Sequence, residues 1–99
     1  MGILLTKNTT SILIKGTEIE LNSVYVRIAF TCNYDGTIAV NFKTYLSENA
    51  FLENNEIFTN VPQMNYNFSL EPTEQQSLET ALLYMQLKFL ELGYFAQIV

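Results

Sequence analysis

Apolar and polar residues alternate with a period of two in three stretches of this chain and recur at helical spacing in a fourth. From Val24 to Asn33, residues Val24, Val26, Ile28, Phe30 and Cys32 share one face, and Tyr25, Arg27, Ala29, Thr31 and Asn33 the other. From Thr37 to Leu46, Ile38, Val40, Phe42 and Leu46 oppose Asn41, Lys43 and Tyr45. From Gln63 to Leu70, Met64, Tyr66, Phe68 and Leu70 oppose Gln63, Asn65, Asn67 and Ser69. Alternation with β-branched and aromatic enrichment predicts half-buried strands. Pro62 just before the third suits a strand start or a sheet edge.

Register selects the turn between the first two strands. A two-residue Asp35-Gly36 loop sets Phe30 beside Asn41 and Ile28 beside Lys43, so apolar and polar faces mix. A three-residue loop instead pairs Phe30 with Val40 and Ile28 with Phe42, and the apolar faces agree. The sequence thus predicts a type I turn over Asn33-Tyr34-Asp35-Gly36, with Gly36 left-handed in a G1 bulge.

The helical pattern is TEQQSLETALLYMQLKFLELG, Thr73 to Gly93. Thr73 with Gln76 makes a capping box, or Pro72 is the first helical residue. Gly93 closes it as a left-handed cap. At 100° per residue, Leu78, Ala81, Leu82, Met85, Phe89 and Leu92 form one stripe. Leu83, Leu87, Leu90 and Tyr94 form a second. Two stripes exceed the single apolar face of an ordinary surface helix. One can cover a sheet; the other has no evident partner within the chain. The tail Tyr94 to Val99 is apolar and is expected to dock on its own sheet, as an extra strand, or on a neighbour.

Earlier segments are shorter and two-sided. Gly2 to Thr6 reads as a strand or an ordered arm, Lys7 to Ser11 as a turn, and Ser11 to Ile14 as a short apolar run. Thr17 to Leu21 alternates, with Ile19 and Leu21 on one face. Residues 47–60 form a long polar connection around Phe51-Leu52. Two readings stand for it: a projecting contact loop, or a wandering connection anchored by Phe51 and Ile57. The predicted architecture is α+β: an antiparallel sheet of about four to five strands with one C-terminal helix across it. The single domain spans residues 1–99, with strands within 2–46 and 63–70, a loop at 47–62, a helix at 73–92 and the tail at 94–99.

Composition narrows the function classes. The 48% hydrophobic and 15% charged content is unlike that of a disordered chain and leaves spare apolar surface on a 99-residue fold. The net charge is −5, and the five cations Lys7, Lys15, Arg27, Lys43 and Lys88 are scattered, which argues against nucleic-acid binding. No apolar run approaches the roughly 20 residues of a membrane span, and no secretory pattern is present. A membrane partner is not expected.

Catalytic chemistry finds few candidates. The chain has no histidine and one cysteine, which excludes histidine-assisted nucleophiles, the usual zinc sites and an intrachain disulfide. Cys32, on an apolar strand face, reads as a small buried hydrophobe. Phosphate-loop, dinucleotide and calcium-loop patterns are absent. Glu18 and Glu20, and Glu48, Glu53 and Glu56, read as a solvated acidic surface, since nothing fixes a glycosidase-like separation between any two of them. The expectation is a non-enzyme without metal, cofactor or small-molecule substrate.

Interface candidates are more numerous. Leu83, Leu87, Leu90, Tyr94, Phe95 and Ile98 come from the second stripe and the tail. Tyr25 and Tyr45 project from the hairpin's second face, and are either covered by another subunit or packed together on an exposed face. The expected function is homo-oligomeric assembly, a common solution for small chains with spare apolar surface.

The order VYVRIAFTCNYDGTIAVNFKTYL, a polar connection, then NFSLEPTEQQSLETALLYMQLKFLELGYF resembles the small virion proteins of tailed bacteriophages, in the neck, tail or baseplate. The resemblance covers roughly residues 17 to 95 and lies in texture, without a specific motif. It implies a ring or sleeve of like copies, with or without other virion proteins, in a particle assembled in host cytoplasm. It transfers no functional residue. The rival expectation is a small acidic inhibitor or adaptor, monomeric or dimeric and of cytoplasmic location, of the anti-defence type, that binds a host protein through the same acidic and aromatic surface, with residues 47–60 as the binding element.

Overall fold

The central hairpin forms in the register that keeps its apolar faces together. In a computed structural model that describes residues 1–99, the elements are β1 (Ile3–Lys7), β2 (Ile12–Leu13), β3 (Glu20–Leu21), β4 (Ser23–Cys32) and β5 (Thr37–Tyr45). They are followed by α1 (Glu48–Leu52), β6 (Tyr66–Ser69), α2 (Leu78–Glu91) and β7 (Tyr94–Ile98). Strands β4 and β5 pair Phe30 with Val40 and Ile28 with Phe42. The Gly36 amide donates to the Asn33 carbonyl at 3.2 Å, and Gly36 sits at φ 82°. The Asp35 carboxylate accepts from the Thr37 amide and hydroxyl, which holds its pKa below the ordinary 3.8.

The fold class is the expected one, α+β. Five strands form one antiparallel sheet in the order β6-β5-β4-β1-β7, and β2-β3 form a small second sheet. The tail does return as a strand: β7 pairs with β1, and Gly2 and Val99 exchange two backbone hydrogen bonds of 2.9 Å. The chain therefore leaves the sheet at one edge, β6, and re-enters at the other, β7. Only a crossing element can join them. Four strand spacings make about 19 Å, and the 14 residues of α2 make about 21 Å.

Helix α2 crosses with Ala81, Leu82, Met85 and Phe89 buried against the sheet. Beneath it lie Ile3, Leu5, Val24, Val26, Ile38, Val40, Phe42, Tyr66 and Tyr94. Full burial of each large apolar side chain is worth about 1.5–3 kcal/mol. Phe89 meets Phe42 edge-on, with ring centroids 5.1 Å apart. Thr44 is the one buried polar residue, and its hydroxyl is satisfied by the Ile57 carbonyl.

The helix starts later than the sequence predicted, with Ser77 and not Thr73 as N-cap. Residues 71–76 have other partners. The Glu74 carboxylate accepts from the Glu71 amide and the Tyr84 hydroxyl. The Gln76 amide donates to the carbonyls of Asn33 and Thr37, tying this segment to the β4–β5 turn. Gly93 ends α2 at φ 98°, as expected. The polar segment before β2 completes the cap: Thr10 Oγ1 donates to the Leu92 carbonyl at 2.8 Å, and the Thr10 amide to the Gly93 carbonyl at 3.1 Å.

The connection at 47–62 is not a projecting loop. Ser47 caps α1 by accepting from the Ala50 amide. Residues 56–60 then run beside earlier strands, bridging Tyr45 to Glu56 and Ile14 to Thr59. The Asn60 side chain bonds both the Leu13 amide and the Ser11 carbonyl. The anticipated strand at 17–21 is reduced to Glu20–Leu21, because Gly16 at φ 79° turns the chain tightly back and leaves Ile19 exposed. The anticipated strand at 63–70 is likewise shortened to Tyr66–Ser69, with Met64 exposed before it. Leu46 lies past the end of β5 and is exposed, and Thr44 takes the buried place on that face.

Of the three glycines with positive φ, Gly36 and Gly93 sit in different surroundings, and alanine should separate them. A Cβ on Gly36 would meet open space, whereas one on Gly93 would collide with the Thr9 and Thr10 hydroxyls. Gly36→Ala should cost about 1–2 kcal/mol of backbone strain, a Tm loss of at least about 4 °C. Gly93→Ala should lose clearly more, and an equal loss in thermal melts would contradict the helix-end clamp. Glu74 gives a pH test. Its pKa is lowered below 4.5, chiefly by the Tyr84 hydroxyl, so its contribution is full above about pH 4.5 and is lost as pH falls through the folded value. The drop in urea midpoint between about pH 6 and about pH 3 should be smaller in Glu74→Gln than in wild type.

Candidate interaction surfaces

The two stripes of α2 point in opposite directions. Because Ala81, Leu82, Met85 and Phe89 face the sheet, Leu83, Leu87 and Leu90 fall on the far side. They are 55%, 63% and 46% exposed. Their spacing, four then three residues, is that of a helix–helix seam. Glu79 lies one turn before Leu83 on the same outward side, exposed and without an ion pair. Lys88 and Glu91 pair with each other at 3.6 Å.

The remaining candidates divide. Phe95 is 55% exposed, but it pairs with Thr6 and so projects from the sheet face away from α2. Ile98 pairs with Ile3 on the helix side and is partly buried against the core. Tyr94 is a correction to the expected stripe: past Gly93 the chain is a strand, and alternation turns Tyr94 into the core, where burial raises its phenol pKa. The same alternation separates it from Leu90.

Tyr25 and Tyr45 are the second correction. They pair directly across β4–β5 on the face away from α2, yet are only 5% and 4% exposed. What covers them is Phe51 from α1, not another subunit. Its ring lies 6.1 Å from Tyr25 and 5.2 Å from Tyr45, edge-on to the latter. The Arg27 guanidinium sits 4.3 Å from the centre of the Phe51 ring and donates to the Tyr25 hydroxyl. Gly2 makes room for the Tyr25 ring, where a Cβ would not fit.

Beyond Phe51 the same face is open. Arg27 stands directly opposite Lys43, Ala29 opposite Asn41, and Thr31 opposite Ala39. A shallow concavity of about 290 Å³ lies over Arg27, Ala29, Asn41 and Lys43, walled by Tyr45 and Phe51. A second, of about 340 Å³, continues it toward Gln63 and Asn65. Like charges directly opposite on a sheet repel, and neither Arg27 nor Lys43 has a carboxylate partner; the ion pairs are Lys7–Glu20 and Lys88–Glu91. The register predicted from the sequence already sets Arg27 opposite Lys43 on the hairpin's second face; the pair was passed over because the five cations were read as scattered along the chain.

Phe51 and Ile57 do anchor the connection, as one of the two readings of residues 47–60 has it, but the role of Phe51 as the cover of Tyr25 and Tyr45 was not foreseen. A five-residue helix is too short to show periodicity. The only cue was Ser47 followed by Glu48, a cap and an acid in the first turn.

Cys32 is exposed, contrary to expectation, at the end of β4, with its sulfur 3.8 Å from the Gln76 carbonyl oxygen. No group of three or more His, Cys, Asp or Glu side chains is placed to hold a metal ion. No helix is long and apolar enough to cross a membrane. No protein-family model, curated protein or solved structure matches this chain.

If Phe51 seals the sheet face on which Tyr25 and Tyr45 pack, its removal must cost stability. Phe51→Ala should destabilise by about 2 kcal/mol, below the roughly 3–5 kcal/mol of a fully buried phenylalanine because Phe51 is only half-buried. Leu87→Ala should stay within about 0.5 kcal/mol, as for an exposed side chain without a role in the fold. Urea titration of both variants checks this, and equal losses would contradict it.

Proposed function

We propose that this protein is a non-enzymatic assembly protein that forms homo-oligomers, as a structural component of a tailed-bacteriophage particle put together in host cytoplasm. The observation that carries the oligomer reading is the outward stripe Leu83, Leu87 and Leu90. These leucines add nothing to the core, and they sit in line on a rigid helix. Aligned exposed leucines at seam spacing favour burial against another surface. The virion assignment rests on the textural resemblance of residues 17 to 95 and on the oligomer reading together.

The adaptor reading draws less support. It used residues 47–60 as a free binding loop, and these residues are held by α1, by two β-bridges and by the Asn60 side chain.

Light scattering coupled to size exclusion, from low to high micromolar, tests the reading. Wild type should show a discrete oligomer or a concentration-dependent mass, and Leu87→Glu a folded monomer. A wild-type monomer at every concentration would remove the homo-oligomer reading and leave the search to a heterologous partner.

A further inference from the structure

Resting on the homo-oligomer reading, we propose that the outward face of α2 docks not on its own counterpart but on the open face of the sheet in a second copy of this chain. The contact is then head-to-tail. Two complementary surfaces lie on opposite sides of one molecule. One is convex and apolar, with Leu83, Leu87 and Leu90 exposed and the unpaired carboxylate of Glu79 at one end. The other is the open strip of sheet that carries the short side chains of Ala29, Thr31, Ala39 and Asn41, hollowed over Ala29 and Asn41, with Arg27 and Lys43 at one end.

Charge and length both match. In a chain of net charge −5 with five cations, two of the five stand opposite each other without a carboxylate. A carboxylate entering from outside would relieve their repulsion and take charge-assisted hydrogen bonds from both. Glu79 is placed for this role, one helical turn ahead of the first leucine. From Glu79 to Leu90 the helix face runs about 16 Å. From the Arg27–Lys43 row to the Asn33–Thr37 row the sheet runs about 20 Å. Seating Glu79 between Arg27 and Lys43 lays the leucines along the small residues, where no long side chain obstructs them. Leucine stripes paired about a two-fold axis would leave both cations unmatched.

The consequence is geometric. A head-to-tail contact uses a different surface on each partner, so every copy can bind two others, and the chain of copies closes into a ring or extends as a filament.

Two variants test this by light scattering, alone and mixed. Glu79→Lys/Leu87→Glu disables the helix face. Ala29→Glu/Lys43→Glu disables the sheet face and leaves Arg27 on Phe51, so folding is preserved; circular dichroism melts confirm that both are folded. Each variant alone should be monomeric, with self-association weakened at least about tenfold. Mixed in equal amounts, they should form a dimer and nothing larger, because one intact helix face and one intact sheet face remain. Continued oligomerisation of the sheet-face variant, with the helix-face variant monomeric, would overturn the head-to-tail contact while leaving the homo-oligomer reading intact. Failure of the mixture to dimerise would also overturn it. A wild-type monomer at all concentrations would remove both readings together.

Discussion

The pairing of β7 with β1 is the constraint on which the rest of the structure depends. It joins residues from opposite ends of the chain, with Gly2 and Val99 bonded to each other twice. Once β7 lies at one edge and β6 at the other, α2 has one route between them, across the sheet. That route is what buries Leu82, Met85 and Phe89 and turns Leu83, Leu87 and Leu90 outward. The candidate contact stripe is therefore a by-product of closing the sheet. A contact so distant in sequence has a high loop-closure cost, offset here by a full strand ladder and by the helix it brings into place.

The two faces of the sheet are covered on different scales. On one side a 14-residue helix seals nearly the whole core. On the other a five-residue helix supplies a single phenylalanine, over two tyrosines, with an arginine stacked on its outer side. That smaller cover stops short, and the remaining strip of sheet is open, with small residues and two cations. The molecule thus presents an apolar convex surface and a basic shallow one on opposite sides, with an excess of carboxylates elsewhere.

Polar side chains hold the connections in place. Thr9 and Thr10 close the end of α2, Gln76 ties its approach to the β4–β5 turn, and Asn60 fastens the long connection to β2. Each satisfies backbone groups that would otherwise compete for water. No buried side-chain nitrogen or oxygen is left without a partner. A 99-residue chain has little core to spare, and these bonds between remote segments hold regions that apolar packing alone would leave loose.

By itself the sequence determined what depends on local periodicity and local geometry. The β4–β5 register followed from the face-matching of Phe30 with Val40 and Ile28 with Phe42, and the left-handed Gly36 followed from the turn that register requires. The amphipathic helix, its end at Gly93 and its second leucine stripe followed from 3.6-residue spacing. The tertiary structure alone decided where those pieces meet. Thr73 lost the helix cap to Ser77 because Glu74 and Gln76 found partners elsewhere. Tyr25 and Tyr45 left the interface set because Phe51, six residues beyond Tyr45, folds back over them. Tyr94 left it because a strand's two-residue period replaces the helix's after Gly93. Arg27 and Lys43 were neighbours already in the predicted register, but only the tertiary structure decided that the cover of Phe51 stops short and leaves the strip beside them open. A local pattern specifies which face of an element is apolar; which partner reaches that face depends on distant contacts, and those leave no periodic trace along the chain.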